Sequence, residues 1–291
     1  MTYYYGNQGG GWGIPLQWIL GAIIAGIGLV MYFTHTSINP TTGEKQHVNL
    51  SAQQEIALGE QSSPAMAAQM GGEVPASDPQ AMEVMAIGNR IWRRSDADKS
   101  PYPFHYHLLA DRRTINAFAL PGGEVFITKG LLDRLTTDGE LAGVLGHESG
   151  HVVERHVAQQ MAQSQLGHFL VTATGVASSG GQHPYSQTMI ASVVNQMTQL
   201  HFSRADESQA DLRGLQYMTQ AGYDPRAMLH LMEVLQQVTN EQGGRPPQIL
   251  QTHPYPEERM RRIDEWIRQH YPDGIPSYLA DPPLPWIAEH R

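Results

Sequence analysis

The run His147-Glu148-Ser149-Gly150-His151 places two imidazoles four residues apart. On a helix that spacing stacks both side chains on one face, where they can grip a single metal ion, and zinc is the usual occupant of such a pair. Glu148 lies on the same side of the helix and can take a proton from a water at the metal, the minimal equipment for splitting an amide bond. A catalytic site of this kind needs a third protein ligand and one position left open. Further along, Glu207 and Asp211 are again four apart. Glu207 can be the third ligand, and Asp211 can accept a hydrogen bond from the far nitrogen of a liganding histidine. Taken alone, the Arg/Glu/Asp stretch around them reads as a solvated face, and only its pairing with the first motif raises it. His253, in Thr252-His253-Pro254, can approach the metal, steady a developing oxyanion, or be an ordinary loop histidine.

The elements that must carry these residues are partly legible. Thr137 and Glu140 form a Thr-x-x-Glu capping box, and Asp138 with Glu140 puts negative charge on the positive end of a helix. Leu141, Val144, Leu145 and Val152 recur at helical spacing, so the metal helix runs to roughly Ala162 with one stripe facing a core. Gly146 and Gly150 are poor helix formers, which points to close packing beside the metal or to room for substrate. Ser51 and Gln54 cap a second helix, Ala81–Arg94 looks like another, and Asp224-Pro225 begins one more. Phe104, Tyr106 and Leu108 alternate with His105 and His107 in a strand pattern, the two histidines reading as surface positions. Asn116–Leu120 and Val125–Thr128 are two further short strands joined through Pro121-Gly122-Gly123. The expected fold is mainly α with a small antiparallel β-sheet. A sheet edge near Glu124–Thr128 beside the metal helix can hold an extended peptide through unpaired N–H and C=O groups, which makes Asn116, Gly123, Glu124 and Val125 candidate substrate contacts. The rival is a hairpin that only supports the core.

Composition narrows the class. With 291 residues the chain holds one or two domains, and 41% apolar residues suffice for a substantial core. A net charge of −9 argues against nucleic acid as a partner and against general attraction to anionic lipid. There is no cysteine, so a disulfide framework and a thiolate site are excluded and any metal must use His, Asp or Glu.

The chain divides into a polar tail at 1–13, a charge-free segment at 14–33, a polar linker at 34–48, a catalytic domain at 49–270 and a Pro-rich tail at 271–291. The charge-free segment is long enough, at about 30 Å as a helix, to span the lipid bilayer, and Trp12, Trp18, Tyr32 and Phe33 sit where interfacial aromatics are expected. A cleaved signal peptide would carry a shorter apolar region after Lys or Arg. The reading is a single-pass membrane anchor with the large C-terminal part on the extracytoplasmic side. Residues 165–200 read equally as a mobile cover, a membrane-facing patch or a plain surface helix with a loop.

Taken together, five motifs resemble one family: Asn116-Ala117-Phe118-Ala119-Leu120-Pro121-Gly122-Gly123, Glu140–His151, Ser203-Arg204-x-x-Glu207-x-x-Ala210-Asp211, Gly222-Tyr223-Asp224-Pro225 and Thr252-His253-Pro254. In this order they resemble the zinc metallopeptidases that include HtpX, the CAAX prenyl proteases and the mitochondrial OMA peptidase, over about Asn49–Ile267. The resemblance implies a zincin-like endopeptidase with one zinc on His147, His151 and Glu207, and with Glu148 as general base and acid. The single-span OMA-like and periplasmic members look closer than the multi-span ones. They imply membrane or envelope quality control, with unfolded or membrane-associated proteins as substrates. A non-catalytic, chaperone-like protein of the same fold is the alternative. The intact Glu148 speaks against it, because binding alone needs no base there.

Overall fold

The computed structural model describes residues 16–34, 36–164, 200–254 and 256–288. The N-terminal tail and nearly all of the 165–200 segment lie outside the described residues. In chain order the helices are α1 (Leu16–Thr34), α2 (Ala52–Gln69), α3 (Pro79–Arg93), α4 (Lys129–Leu132), α5 (Asp138–Val153), α6 (Arg204–Gln220), α7 (Arg226–Glu241), α8 (Gln248–Thr252), α9 (Pro256–His270) and α10 (Pro285–Ala288), with a further helical stretch at 156–164. The strands are β1 (Ser37–Ile38), β2 (Lys45–Gln46), β3 (His105–Leu109), β4 (Ala117–Ala119) and β5 (Glu124–Thr128). Mainly helical with small sheets, the fold is α+β.

Local chemistry sets the helix starts. Ser51 Oγ accepts from Gln54 N while Gln54 Oε1 accepts from Ser51 N, and Thr137 and Glu140 make the same reciprocal exchange at the start of α5. Each exchange satisfies two amide groups that a helix start otherwise leaves without partners. α5 is the central helix: every residue from Gly139 to Val153 is buried. Its apolar side chains Leu141, Val144 and Leu145 join one core with Val84 and Ile87 of α3, Val125 and Ile127 of β5, Leu215 and Met218 of α6, and Leu231 and Leu235 of α7. Fully burying one such side chain contributes about 1.5–3 kcal/mol. A smaller cluster gathers Leu58 and Met66 of α2, Phe118, Phe126, Val157, Met161 and Phe202.

Three expectations are corrected. The main sheet is mixed, in the order β3-β5-β4: β5 runs parallel to β3, with His105 opposite Glu124, and antiparallel to β4. β5 is therefore the central strand, with partners on both sides, so the Glu124–Thr128 edge is not free. Of the two outer strands, β3 is met by the Glu73–Leu109 bridge, whereas among the described residues no strand pairs with the far side of β4. The metal helix stops at Val153, because Arg155 adopts a left-handed conformation (φ 62°). Residues 34–48 are more than a linker. β1 and β2 pair as a hairpin, and the buried side chains of Asn39 and Gln46 donate to Val153 O (2.8 Å) and Glu154 O (2.9 Å). These carbonyls end α5 and have no partner within the helix, so the hairpin caps it.

Judged on the described residues, no helix is long and apolar enough to cross a membrane. α1 itself contains no charged residue across its 19 positions and exposes Trp18, Ile23, Ile27, Val30 and Phe33.

Candidate metal centre

Four elements converge on one point. α5 brings His147, Glu148 and His151, α6 brings Glu207 and Asp211, the end of α8 brings His253, and α9 brings Arg259. All seven side chains belong to residues no more than 5% exposed. One ligand atom each from His147, His151, Glu207 and His253 lies within 4.8 Å of the others. His147 Nε2 is 3.0 Å from His151 Nε2 and 3.6 Å from Glu207 Oε2, and His151 Nε2 is 3.4 Å from Glu207 Oε1. Metal bonds of about 2.0–2.1 Å in a tetrahedron place neighbouring ligand atoms about 3.3 Å apart, so these spacings suit one cation. The chemistry of the donors agrees. With the far nitrogen of His147 donating to Asp211 Oδ1 (2.8 Å), its Nε2 presents a lone pair to the cluster, as do the carboxylate oxygens. Lone pairs this close repel one another unless a positive charge lies among them.

α5 and α6 approach closely because glycine stands where they cross. A β-carbon on Gly150 would come within 2.9 Å of Ala210 O and 3.0 Å of Arg213 Cβ, and one on Gly146 within 3.2 Å of Gly214 O. The close-packing reading of these two glycines therefore holds, and that approach carries Glu207 and Asp211 to the histidines.

Charge is balanced inside the cluster. Burial pushes the Glu148 carboxyl up, and His253 and His147 only partly offset this. For Glu207, burial acts upward too, but His253 and Arg259 outweigh it and hold the carboxyl well below the usual range. Asp211 follows the same pattern, with Arg259 the deciding partner. Burial also keeps His151 well below the ordinary imidazole range, which favours the neutral, ligating form.

His253 lies deep in the cluster, its Nδ1 2.9 Å from Glu207 Oε1 and 3.3 Å from His147 Nε2, and its Nε2 3.6 Å from Glu148 Oε1. It is no stray loop histidine. Arg259 was not singled out by sequence reasoning. Its Nε and Nη2 donate to the two oxygens of Asp211 (2.7 and 2.6 Å), and Nη1 sits 2.8 Å from Glu207 Oε2 as an ion pair without hydrogen-bond alignment. The available signal was its place six residues after His253, on a helix with a strong apolar stripe. His156 was also missed, although it stands five residues after His151.

The candidate substrate contacts fare differently. Glu124 is engaged by His105 (2.8 Å) and His107 (2.6 Å), so these three form a hydrogen-bonded group on the sheet. Val125 is fully buried, and Gly123 packs so tightly that a β-carbon would stand 2.1 Å from Pro103 O. Of these four, Asn116 keeps a side-chain group without a partner among the described residues, its buried Oδ1, just before β4. An apolar cleft lined by Gly143, Val144, Leu231, Met232 and Ile249 reaches His147 and Glu148.

Comparison with known proteins decides the family. Residues 78–267, about two thirds of the chain, match the family described as Peptidase family M48. The chain belongs to peptidase family M48. Among its relatives, the mitochondrial metalloendopeptidase OMA1 of Schizosaccharomyces pombe is 33% identical over 86% of this chain and 72% of its own length. The Beta-barrel assembly-enhancing protease of Escherichia coli K12 is 30% identical over 83% of this chain, and that of Yersinia pestis 30% over 76%. The chain spans about half the length of these bacterial relatives, 50% and 45%. By class this M48 peptidase is a metalloprotease, and the buried His/Glu group can hold its metal.

Proposed function

We propose that this chain is a membrane-anchored zinc endopeptidase acting on unfolded or membrane-associated proteins in membrane or envelope quality control. The observation that carries the reading is the convergence of His147, His151 and Glu207 with the carboxylate of Glu148 beside them. Two imidazoles and one carboxylate, with no cysteine in the chain, are a donor set that zinc takes in catalytic sites, one ion per chain. Bound there, the ion supplies Lewis acidity, polarising a carbonyl and bringing the pKa of water toward about 7.

The protein's own groups do the rest. Glu148 accepts the proton from the attacking water and delivers it to the departing amide nitrogen. Burial raises its proton affinity, which suits a group that must hold a proton between the two steps. His253, facing both Glu148 and Glu207, is placed to donate to an oxygen that gains charge. The open side of β4, with Asn116 at its start, offers N–H and C=O groups to an extended peptide, and the apolar cleft beside Glu148 takes a side chain next to the scissile bond. The anchor in this reading rests on the charge-free composition of α1 and its exposed apolar side chains, Trp18, Ile23, Ile27, Val30 and Phe33. In this reading the catalytic part lies on the extracytoplasmic side of a membrane; one of the relatives is named as mitochondrial and the others for β-barrel assembly.

The test is casein digestion by the full chain in detergent. The parent should cleave, a chelator should abolish cleavage and zinc should restore it. Glu148→Gln should keep one equivalent of zinc and lose rate by about 10²–10⁴-fold. Zinc binding without cleavage by the parent would favour the chaperone-like alternative, and parent-level cleavage by the variant would remove Glu148 from its role.

A further inference from the structure

The two histidines of the centre are held from behind by different chemistry. His147 leans on Asp211, which Arg259 neutralises. Among the described residues, no carboxylate meets the far nitrogen of His151. Its Nδ1 faces His156 Nδ1 at 2.8 Å. Two ring nitrogens at that distance share one proton, and the structure indicates which carries it. The other nitrogen of His156, Nε2, faces Gln209 Oε1 at 3.0 Å and Asp206 Oδ1 at 3.8 Å. Both are acceptors, so Nε2 carries the hydrogen and Nδ1 of the neutral ring is left to accept. The shared proton then belongs to His151 Nδ1, and the lone pair of His151 Nε2 points into the cluster.

We propose that His156, oriented by Gln209, is a positioning residue that fixes His151 in its metal-binding tautomer. The inference rests on the reading of His151 as a ligand.

The backbone is built for this contact. A helix continued past Val153 would carry residue 156 around the axis and away from His151. The left-handed Arg155 breaks the helix and turns His156 back, with the ring centroids of His151 and His156 4.9 Å apart. Arg155 is held there by Glu55 Oε1 (2.9 Å to Nε) and Leu50 O (2.8 Å to Nη2). Phe202 packs on His151 at 4.0 Å between ring centroids and closes the side of the pair. His156 itself is 1% exposed.

Asparagine and glutamine separate this role from simple space-filling. The amide oxygen of Asn stands where Nδ1 of His stands, so His156→Asn keeps the acceptor that faces His151. His156→Gln is closer in size and reaches toward Gln209, but it lacks an acceptor at the Nδ1 position. Zinc affinity of the full chain in detergent is measured by competition with a chelator, alongside the visible spectrum of the cobalt-loaded protein and kcat/KM on a peptide. His156→Leu and His156→Gln should weaken zinc binding by about 10–100-fold. His156→Asn should bind like the parent, with the parent's cobalt spectrum.

Parent-like zinc affinity in a folded His156→Leu, or weakening that follows side-chain size so that Asn is worse than Gln, would overturn the proposal. His147→Ala separates the two levels of inference. Parent-like binding in that variant would discard the centre itself, whereas loss there with none in His156→Leu would discard only the relay. If the His156 variants do not fold, the imidazole nitrogen resonances of the metal-free parent decide. A His151 protonated at Nδ1 supports the relay, and one protonated at Nε2 ends it.

Discussion

Arg259 shows how much of the centre depends on one cation set between two carboxylates. Asp211 and Glu207 are both buried, and both owe their ionised state partly to it. Removing one partner of a buried ionic group leaves an uncompensated charge and costs about 3–5 kcal/mol. Arg259→Leu should therefore destabilise the fold by about that amount in urea unfolding and also weaken zinc binding, since His147 loses the support of a properly charged Asp211. Arg259→Lys should fall between, because an ammonium cannot bridge both oxygens of Asp211 and reach Glu207 as a planar fork does. The grouping of His147, Glu148 and His151 was legible in the sequence because a helix turns four-residue spacing into shared direction. Arg259 was not, because it meets His147 across 112 positions and arginines on an exposed-looking helix carry no mark of burial. His253 lay between these cases, its motif visible but its distance to the metal helix not.

At the scale of elements, the α5–α6 crossing is the joint that assembles the site. Gly150→Ala would push a methyl into Ala210 O and Arg213 Cβ, and overpacking of this kind costs about 1–3 kcal/mol. The expected result is a lower melting temperature with a parallel loss of zinc affinity, because separating the helices moves Glu207 away from the histidines. The start of α5 carries a different cost. Burial, with Glu83 and Asp281 nearby, pushes the Asp138 carboxyl up to about 6 from 3.8, and its Oδ1 has no hydrogen-bond partner among the described residues. An acid whose folded pKa is raised lowers stability as pH climbs from about 4 to about 6, and the loss persists above that range. Part of it is screened and part is offset by the helix dipole, so Asp138→Asn should gain about 1 kcal/mol at pH 7.5 and nothing at pH 4 in urea unfolding. The capping boxes were readable because they are local. The mixed sheet was not: β3 pairs with β5 across the intervening β4, and alternation within a strand does not name its partner. The end of α5 was hidden for the same reason, since nothing local stops a helix at Glu154-Arg155. The contact that holds the break, Glu55 to Arg155, spans 100 positions.

Across the whole molecule, the N-terminal segment and the metal helix are joined through the β1–β2 hairpin. His47 stacks on Tyr32 at the end of α1, with ring centroids 4.7 Å apart, and its Nδ1 lies 3.1 Å from Tyr32 O. The hairpin in turn caps α5 through Asn39 and Gln46, and Ser37 Oγ accepts from Arg155 Nη1 at 2.7 Å. Two truncations separate anchoring from folding. A chain beginning at Ser37 keeps the hairpin and loses α1. It should remain folded, bind zinc and cleave casein, yet leave the membrane fraction, which is read by sedimentation with and without detergent. A chain beginning at Ser51 also loses Asn39 and Gln46, so the buried Val153 O loses its side-chain donor while Glu154 O keeps only Gln159 Nε2, at about 1–3 kcal/mol for the unsatisfied group. Its midpoint in urea should fall, and zinc affinity should fall with it, because the lost contacts hold the turn that follows His151. Equal stability of the two truncations would show that the hairpin lies on the domain without supporting it, and continued sedimentation of the Ser37 form with membranes would place the anchoring surface elsewhere than α1.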